Sequence, residues 1–206
     1  MILKDQIENL LTKATERRPS PMDLQRVVVA RKPVTRMFAD DGIVPNNPRW
    51  PLVVYRKAIN LPTRGTDPAA VIDALFGQNG WGKSWRGSIY DFVHYHSQTH
   101  EVLGVARGDA RVEFGGINGR IMTLKAGDVA ILPAGTGHRL IEASKNFVVV
   151  GAYPSQGSYD ECTDTRDRPK TVKSIAKVVK PDADPVYGKK GALLSVWKAK
   201  SSGRSP

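Results

Sequence analysis

His94-Tyr95-His96-Ser97-Gln98-Thr99-His100-Glu101 is the stretch whose reading decides the fold of this 206-residue chain. It gathers three of the chain's 4 histidines next to a carboxylate, and the remaining one, His138, follows a little later. Along an extended strand, side chains of one parity share a face. Tyr90, Phe92, His94 and His96 are therefore expected to point together into an interior, with Asp91, Val93 and Tyr95 pointing out. After the Ser97-Gln98-Thr99 loop, the next strand puts Glu101, Leu103 and Val105 on one face, so a carboxylate can look inward at the same height. Three neutral nitrogens and one anionic oxygen could surround one cation.

Working outward, Ser88 to Tyr153 consists of short alternating or apolar runs punctuated by Arg107-Gly108-Asp109, Gly115-Gly116, Asn118-Gly119-Arg120 and Ala126-Gly127-Asp128. Closely spaced strands of this kind imply an antiparallel sandwich or barrel, and the block has no repeat elsewhere, so one barrel is expected. Upstream, Val27-Val28-Val29 and Leu52-Val53-Val54-Tyr55 read as strands on either side of a turn-rich segment. Asp67 can cap a helix that takes Pro68 in its first turn, continues from Ala69 to Phe76 and ends at Gly77 or Gly80. Ile7, Leu10, Leu11 and Ala14 predict a short amphipathic helix over residues 2–14, docked on the protein's own core and broken by Arg17-Arg18-Pro19. Downstream, Asp184 to Gly188 forms a turn, and Ala192 to Trp197 returns as a strand or packs against the sheet. The organisation expected is an extension over 1–86, a core over 87–155 and an arm with a basic tail over 156–206.

Composition narrows the class. With 40% apolar and 25% charged residues, the chain suits one folded domain with a real core, which excludes collagen-like, coiled-coil and wholly disordered chains. A single cysteine, Cys162, forms no internal disulfide, and the acidic neighbours Glu161 and Asp164 disfavour its thiolate. The start, Met1 to Asp5, lacks the apolar stretch of a signal peptide, and no apolar run is long enough for a bilayer; a soluble, cytoplasmic protein without a membrane partner is expected. The net charge of +11 is uneven: residues 166–206 hold 11 basic against 3 acidic residues, while residues 1–165 hold 20 against 17. That distribution reads as a solvated basic tail ending in Ser201 to Ser205. A nucleic-acid partner is not expected, since no helix-turn-helix pattern stands behind the charge.

The histidine stretch also carries a resemblance. His94-x-His96-x4-Glu101-x6-Gly108 resembles the first cupin motif from its histidines onward, and Gly127-x5-Pro133-x-Gly135-x2-His138 resembles the second through its histidine. More narrowly, His94 to Gly108, Pro133 to His138 and Val149 to Pro154 look like the YjlB-like branch of bacterial cupins, a likeness that extends over roughly residues 38–197. Two departures stand out: Gly87 lies one residue further from His94 than the motif has it, and Glu142 occupies the place of the motif's last Asn.

The resemblance implies a mainly β protein with a single RmlC-like jelly-roll, a double-stranded β-barrel. It further implies one divalent metal ion (Mn, Fe, Ni, Co or Zn) on His94, His96, Glu101 and His138, and a homodimer. Mixed nitrogen and oxygen ligation with open positions suits chemistry on a small oxygenated molecule: dioxygenase-like oxidation, isomerisation or decarboxylation. His100 or Glu142 would be the acid or base; Glu142 shares the inward parity of His138 if the strand runs on regularly. His100 has two other readings, as a ligand in place of Glu101 or as a surface histidine. A non-catalytic cupin that binds or senses a metal or small ligand is the alternative function. A barrel without metal would leave buried polar groups in need of partners. Trp81, Trp85, Tyr90, Phe92 and Tyr153 line the pocket or serve as packing.

Overall fold

The computed structural model describes residues 21–62 and 66–198. The helix expected over residues 2–14 and the tail at residues 201–205 lie outside the described residues. The elements in chain order are α1 (Pro21–Val27), β1 (Val34–Arg36), β2 (Leu52–Tyr55), α2 (Pro68–Gln78), β3 (Trp81–Gly87), β4 (Glu101–Arg107) and β5 (Asp109–Phe114). There follow β6 (Arg120–Lys125), β7 (Val129–Leu132), β8 (His138–Ala143), β9 (Val148–Pro154), a 3-10 turn (Thr165–Asp167), α3 (Arg168–Lys177) and α4 (Leu193–Val196).

The strands form two antiparallel sheets, one ordered β1-β2-β7-β4-β9-β3 and the other β6-β5-β8. This is the jelly-roll arrangement expected, as two sheets that do not close into a continuous barrel among the described residues. The larger sheet crosses the 86/87 boundary: β2 pairs with β7 and β3 with β9, so strands of the N-terminal part belong to the sheet itself.

Alternation explains the layering. On β4, Leu103 and Val105 face the space between the sheets, where they meet Val112, Phe114 and Leu124. Val102 and Ala106 face the other way, into a second cluster with Ile72 and Phe76 of α2. A strand buried on both faces shows a nearly continuous apolar run. Each fully buried side chain of the size of Ile72 or Phe76 contributes about 1.5–3 kcal/mol. Helix α2 starts as expected, with the Asp67 carboxylate accepting from the Ala70 amide at 3.2 Å, and ends at Asn79. Gly104 lets it approach: a Cβ there would lie 2.7 Å from Ile72 and 2.8 Å from Phe76. Gly104→Val should therefore cost about 1–3 kcal/mol by overpacking. An unchanged denaturation midpoint would contradict that packing.

Two strands of the sequence reading take other forms. Val27 closes α1, and Val28 makes only a lone bridge to Ile59, because the β-branched run finds one partner residue and no ladder. The stretch holding His94 and His96 is likewise two single bridges, His94 to His138 and Tyr95 to Cys162. Successive residues there pair with different segments: His94 and His96 are buried as expected, but Tyr95, expected to point out, is buried against Val44, Cys162 and Ile175, and Tyr90 and Phe92 stay 49% and 43% exposed. Past Cys162 the arm folds back. Asp184 and Gly188 exchange backbone hydrogen bonds in the expected turn, and Ala192 to Trp197 packs as a short helix, with Trp197 stacked on Trp50 at 5.4 Å.

Candidate metal centre

The two histidine segments are joined through their backbones. His94 and His138 exchange N–H···O bonds of 3.2 and 2.9 Å, and the Gly135 amide donates to the His96 carbonyl at 2.7 Å. Gly135 sits at φ 92° with the Asn46 carbonyl 2.9 Å from where a Cβ would be, so only glycine passes this point without strain. The result brings one ring nitrogen each from buried His94, His96 and His138 within 4.8 Å of one another. Glu101, the first residue of β4, comes in beneath them: its Oε2 lies 3.3 Å from His96 Nε2 and 3.2 Å from His138 Nε2.

The outer nitrogens fix the tautomers. His94 Nδ1 donates to the Phe92 carbonyl and His138 Nδ1 to the Thr136 carbonyl, both at 3.2 Å, while His96 Nδ1 donates to the Asp160 carbonyl. A carbonyl can only accept, so each Nδ1 carries hydrogen and, in the neutral ring, each Nε2 turns a lone pair inward. His96 Nε2 and Glu101 Oε2 are buried and, for all their proximity, have no partner in hydrogen-bond alignment. Such orphaned groups are costly unless something else satisfies them. Three inward Nε2 atoms and an unpartnered carboxylate oxygen make a donor set that, once deprotonated, fits a divalent ion.

The electrostatics agree. Burial opposes charge on His96, but the Glu101 carboxylate outweighs it and, with the Asp160 carbonyl, lifts the pKa to about 9. Burial alone would raise the Glu101 pKa; the neighbouring His96 and His138 reverse this and hold the carboxyl well below the usual range. Burial, followed by the nearness of His138, depresses His94 to about 3. The protein thus keeps one proton between His96 and Glu101, where a cation could sit instead.

Above this floor opens a cavity of about 450 Å³, lined by Lys83, Trp85, Ile89, Tyr90, Leu103, Tyr153 and Tyr159 among others. Trp85 lies directly over Gly151, whose missing side chain makes room for it, and its Nε1 donates to the Tyr153 hydroxyl at 3.0 Å. Burial and then the Glu101 charge raise the Tyr153 pKa, so the phenol keeps its proton. Of the aromatics read as pocket or packing, Trp85, Tyr90 and Tyr153 line the cavity. Phe92 stacks on Tyr90 at 4.8 Å, and Trp81 is core, with Nε1 donating to the Ala183 carbonyl at 2.9 Å.

The structure does not bring His100 or Glu142 to this cavity, which corrects their reading as acid or base. His100 is one residue out of phase with Glu101 and so faces away from it. It is wholly buried, with its ring packed against both Trp50 and Trp197. Its Nδ1 accepts from the Ala134 amide at 2.9 Å and its Nε2 donates to the Val179 carbonyl at 3.0 Å, which leaves no lone pair for a ligand or a proton shuttle. Glu142 is turned out by a bulge. In the β5–β8 register Val112 faces Leu140 but Arg111 faces Glu142, so Ile141 is an extra residue and parity reverses behind it. The Glu142 side chain is 69% exposed, beside Arg111.

The sequence reading also missed what the arm supplies. The Asp160 carboxylate accepts from the Ser97 amide (2.9 Å), the Ser97 hydroxyl (2.6 Å) and the Gln98 amide (3.0 Å), while its own carbonyl holds His96. The next residue but one, Cys162, is no nucleophile: burial and Asp160 push its thiol up to about 12. Asp160→Ala should lower metal affinity about tenfold by freeing the Ser97 turn and with it the His96 ring. Competition with a chromophoric chelator measures this, and unchanged affinity would refute it.

The chain belongs to the cupin family, whose domain matches residues 87–150. Within that family it is similar to the uncharacterised protein YjlB of Bacillus subtilis strain 168. The two are 39% identical over 168 residues, which cover 81% of this chain and 98% of that one. Solved structures with some likeness include WlaRA, a TDP-fucose-3,4-ketoisomerase from Campylobacter jejuni, 13% identical with a TM-score of 0.35 over 68% of this chain and 89% of that chain. Another is an 11S globulin from Wrightia tinctoria, 15% identical with a TM-score of 0.32; the match covers 39% of this chain and spans only 22% of the globulin's length. No described helix is long and apolar enough to cross a membrane.

Proposed function

We propose that the protein is a divalent-metal enzyme acting on a small oxygenated molecule, with His94, His96, His138 and Glu101 as the ligands. One observation carries this reading: three inward Nε2 atoms and an orphaned Glu101 oxygen lie at the floor of an accessible cavity. A bound Mn, Fe, Ni, Co or Zn ion would supply Lewis acidity toward substrate oxygens. The chain's own part is to position. Ile89 and Leu103 give the cavity an apolar lining, and Trp85 holds Tyr153 as a protonated donor facing the cavity. The test is metal analysis of the purified protein, followed by a turnover screen of diketones, keto acids, phenols and sugars with and without oxygen. The displacement of His100 and Glu142 favours the second reading, a metal- or ligand-binding cupin, and full loading without any turnover would assign it.

Ion uptake should displace a proton. Without an ion His96 stays protonated below about 9, and the ion needs the lone pair that this proton occupies, so binding at pH 7 releases close to one proton per ion. Affinity then falls by up to about tenfold for each unit that the pH drops below about 9, where the ion competes with the His96 proton. A pH-stat titration that shows no proton release would count against Glu101 and His96 sharing the site.

A further inference from the structure

The mouth of the cavity is built differently from its floor. Between Gly82 and Trp85 the β3–β9 register shifts, and Lys83 sits in that bulge at φ 51°, a conformation non-glycine residues seldom adopt. Bulges re-aim side chains, and Lys83, exposed in this one, is among the residues that line the cavity. The other lining cation, Arg86, is engaged with Asp67 at 2.9 Å, and Glu101 lies buried at the floor. With a divalent ion on three neutral imidazoles and one carboxylate, the interior carries about one positive charge, to which Lys83 adds a second at the rim. The rest of the lining includes Gly87, Ser88 and Ile89 together with exposed aromatic rings, and the Tyr159 hydroxyl donates to Glu161 at 3.0 Å. Tyr90 is 49% exposed and Tyr159 51%, and the Tyr159 ring lies 5.1 Å from His96 and 5.4 Å from Tyr153.

We infer that the cavity selects a small planar anion, an aromatic or conjugated carboxylate with a neighbouring oxygen, drawn in by Lys83 and laid against Tyr159 and Tyr90. This rests on the metal reading above. A purely aliphatic acid would use Lys83 but waste the aromatic rim; a neutral ring would use the rim but not the charge. Ring contacts of this kind are worth roughly three- to tenfold in affinity each.

The experiment compares salicylate with malonate, two dianion-forming chelators of which only the first carries a ring, as ligands of the Co2+-loaded protein followed by its visible absorption. Salicylate should bind at least about tenfold more tightly than malonate. Tyr159→Leu should weaken salicylate by roughly three- to tenfold and leave malonate unchanged. Lys83→Met should weaken both, by a factor that shrinks as salt is raised. Both variants should load Co2+ like the wild type, since neither residue is a ligand. Equal affinity for the two probes, or variants that leave salicylate binding untouched, would overturn the inference while leaving the metal site standing. Failure of the wild type to take up Co2+ would overturn both.

Discussion

On the proposed metal reading, replacing His138 by alanine should leave less than about a tenth of the wild type's divalent-metal content by elemental analysis of purified protein. Loss of an outer hydrogen-bond partner to a ligand already costs ~10–100-fold in affinity, and loss of a ligand exceeds that. The variant is informative because its backbone contacts do not depend on the ring: the paired bonds between His94 and His138 run through N–H and C=O groups. Removing the imidazole also takes away one of the two nitrogens beside Glu101 Oε2. His96→Ala should behave likewise. Native circular dichroism with full metal content in both variants would reject the ligand set.

Much of this centre was legible in the residues because its geometry is local. His94, His96 and Glu101 are brought together by strand parity across one short loop, and His138 by the spacing of its own glycine-rich segment, so period-2 alternation suffices to aim all four inward. Glu142 shows where that logic breaks. Its inward reading assumed regular alternation past His138, and the extra residue at Ile141 reverses the parity with no glycine or proline to announce it. His100 fails differently: its single-residue offset from Glu101 was visible and is enough to turn it to the opposite face. Tyr159 and Asp160 were out of reach, since their roles depend on how an arm some 60 residues further along the chain docks against the Ser97 turn. Alternation within one strand carries no information on such distant pairing.

His100, relieved of a catalytic role, becomes a residue whose removal should cost the fold. His100→Ala would leave the Ala134 amide and the Val179 carbonyl without partners and open a void beside Trp50 and Trp197, a loss of about 3 kcal/mol. The effect should depend on pH in a defined direction. Burial depresses the folded His100 pKa from 6.5 to about 4, so below pH 6.5 the unfolded chain takes up a proton that the folded protein refuses. The stability His100 provides is therefore complete above pH 6.5 and drains away as pH falls toward 4, by about 1.4 kcal/mol per unit. The alanine variant has no such proton to bind. In urea denaturation the gap between wild type and His100→Ala should be widest at pH 8 and should close as pH approaches 4.5. Protonation of the other histidines is common to both proteins and cancels. A gap that stays constant between pH 8 and 4.5 would mean that the ring is not held neutral between the arm and the sheet.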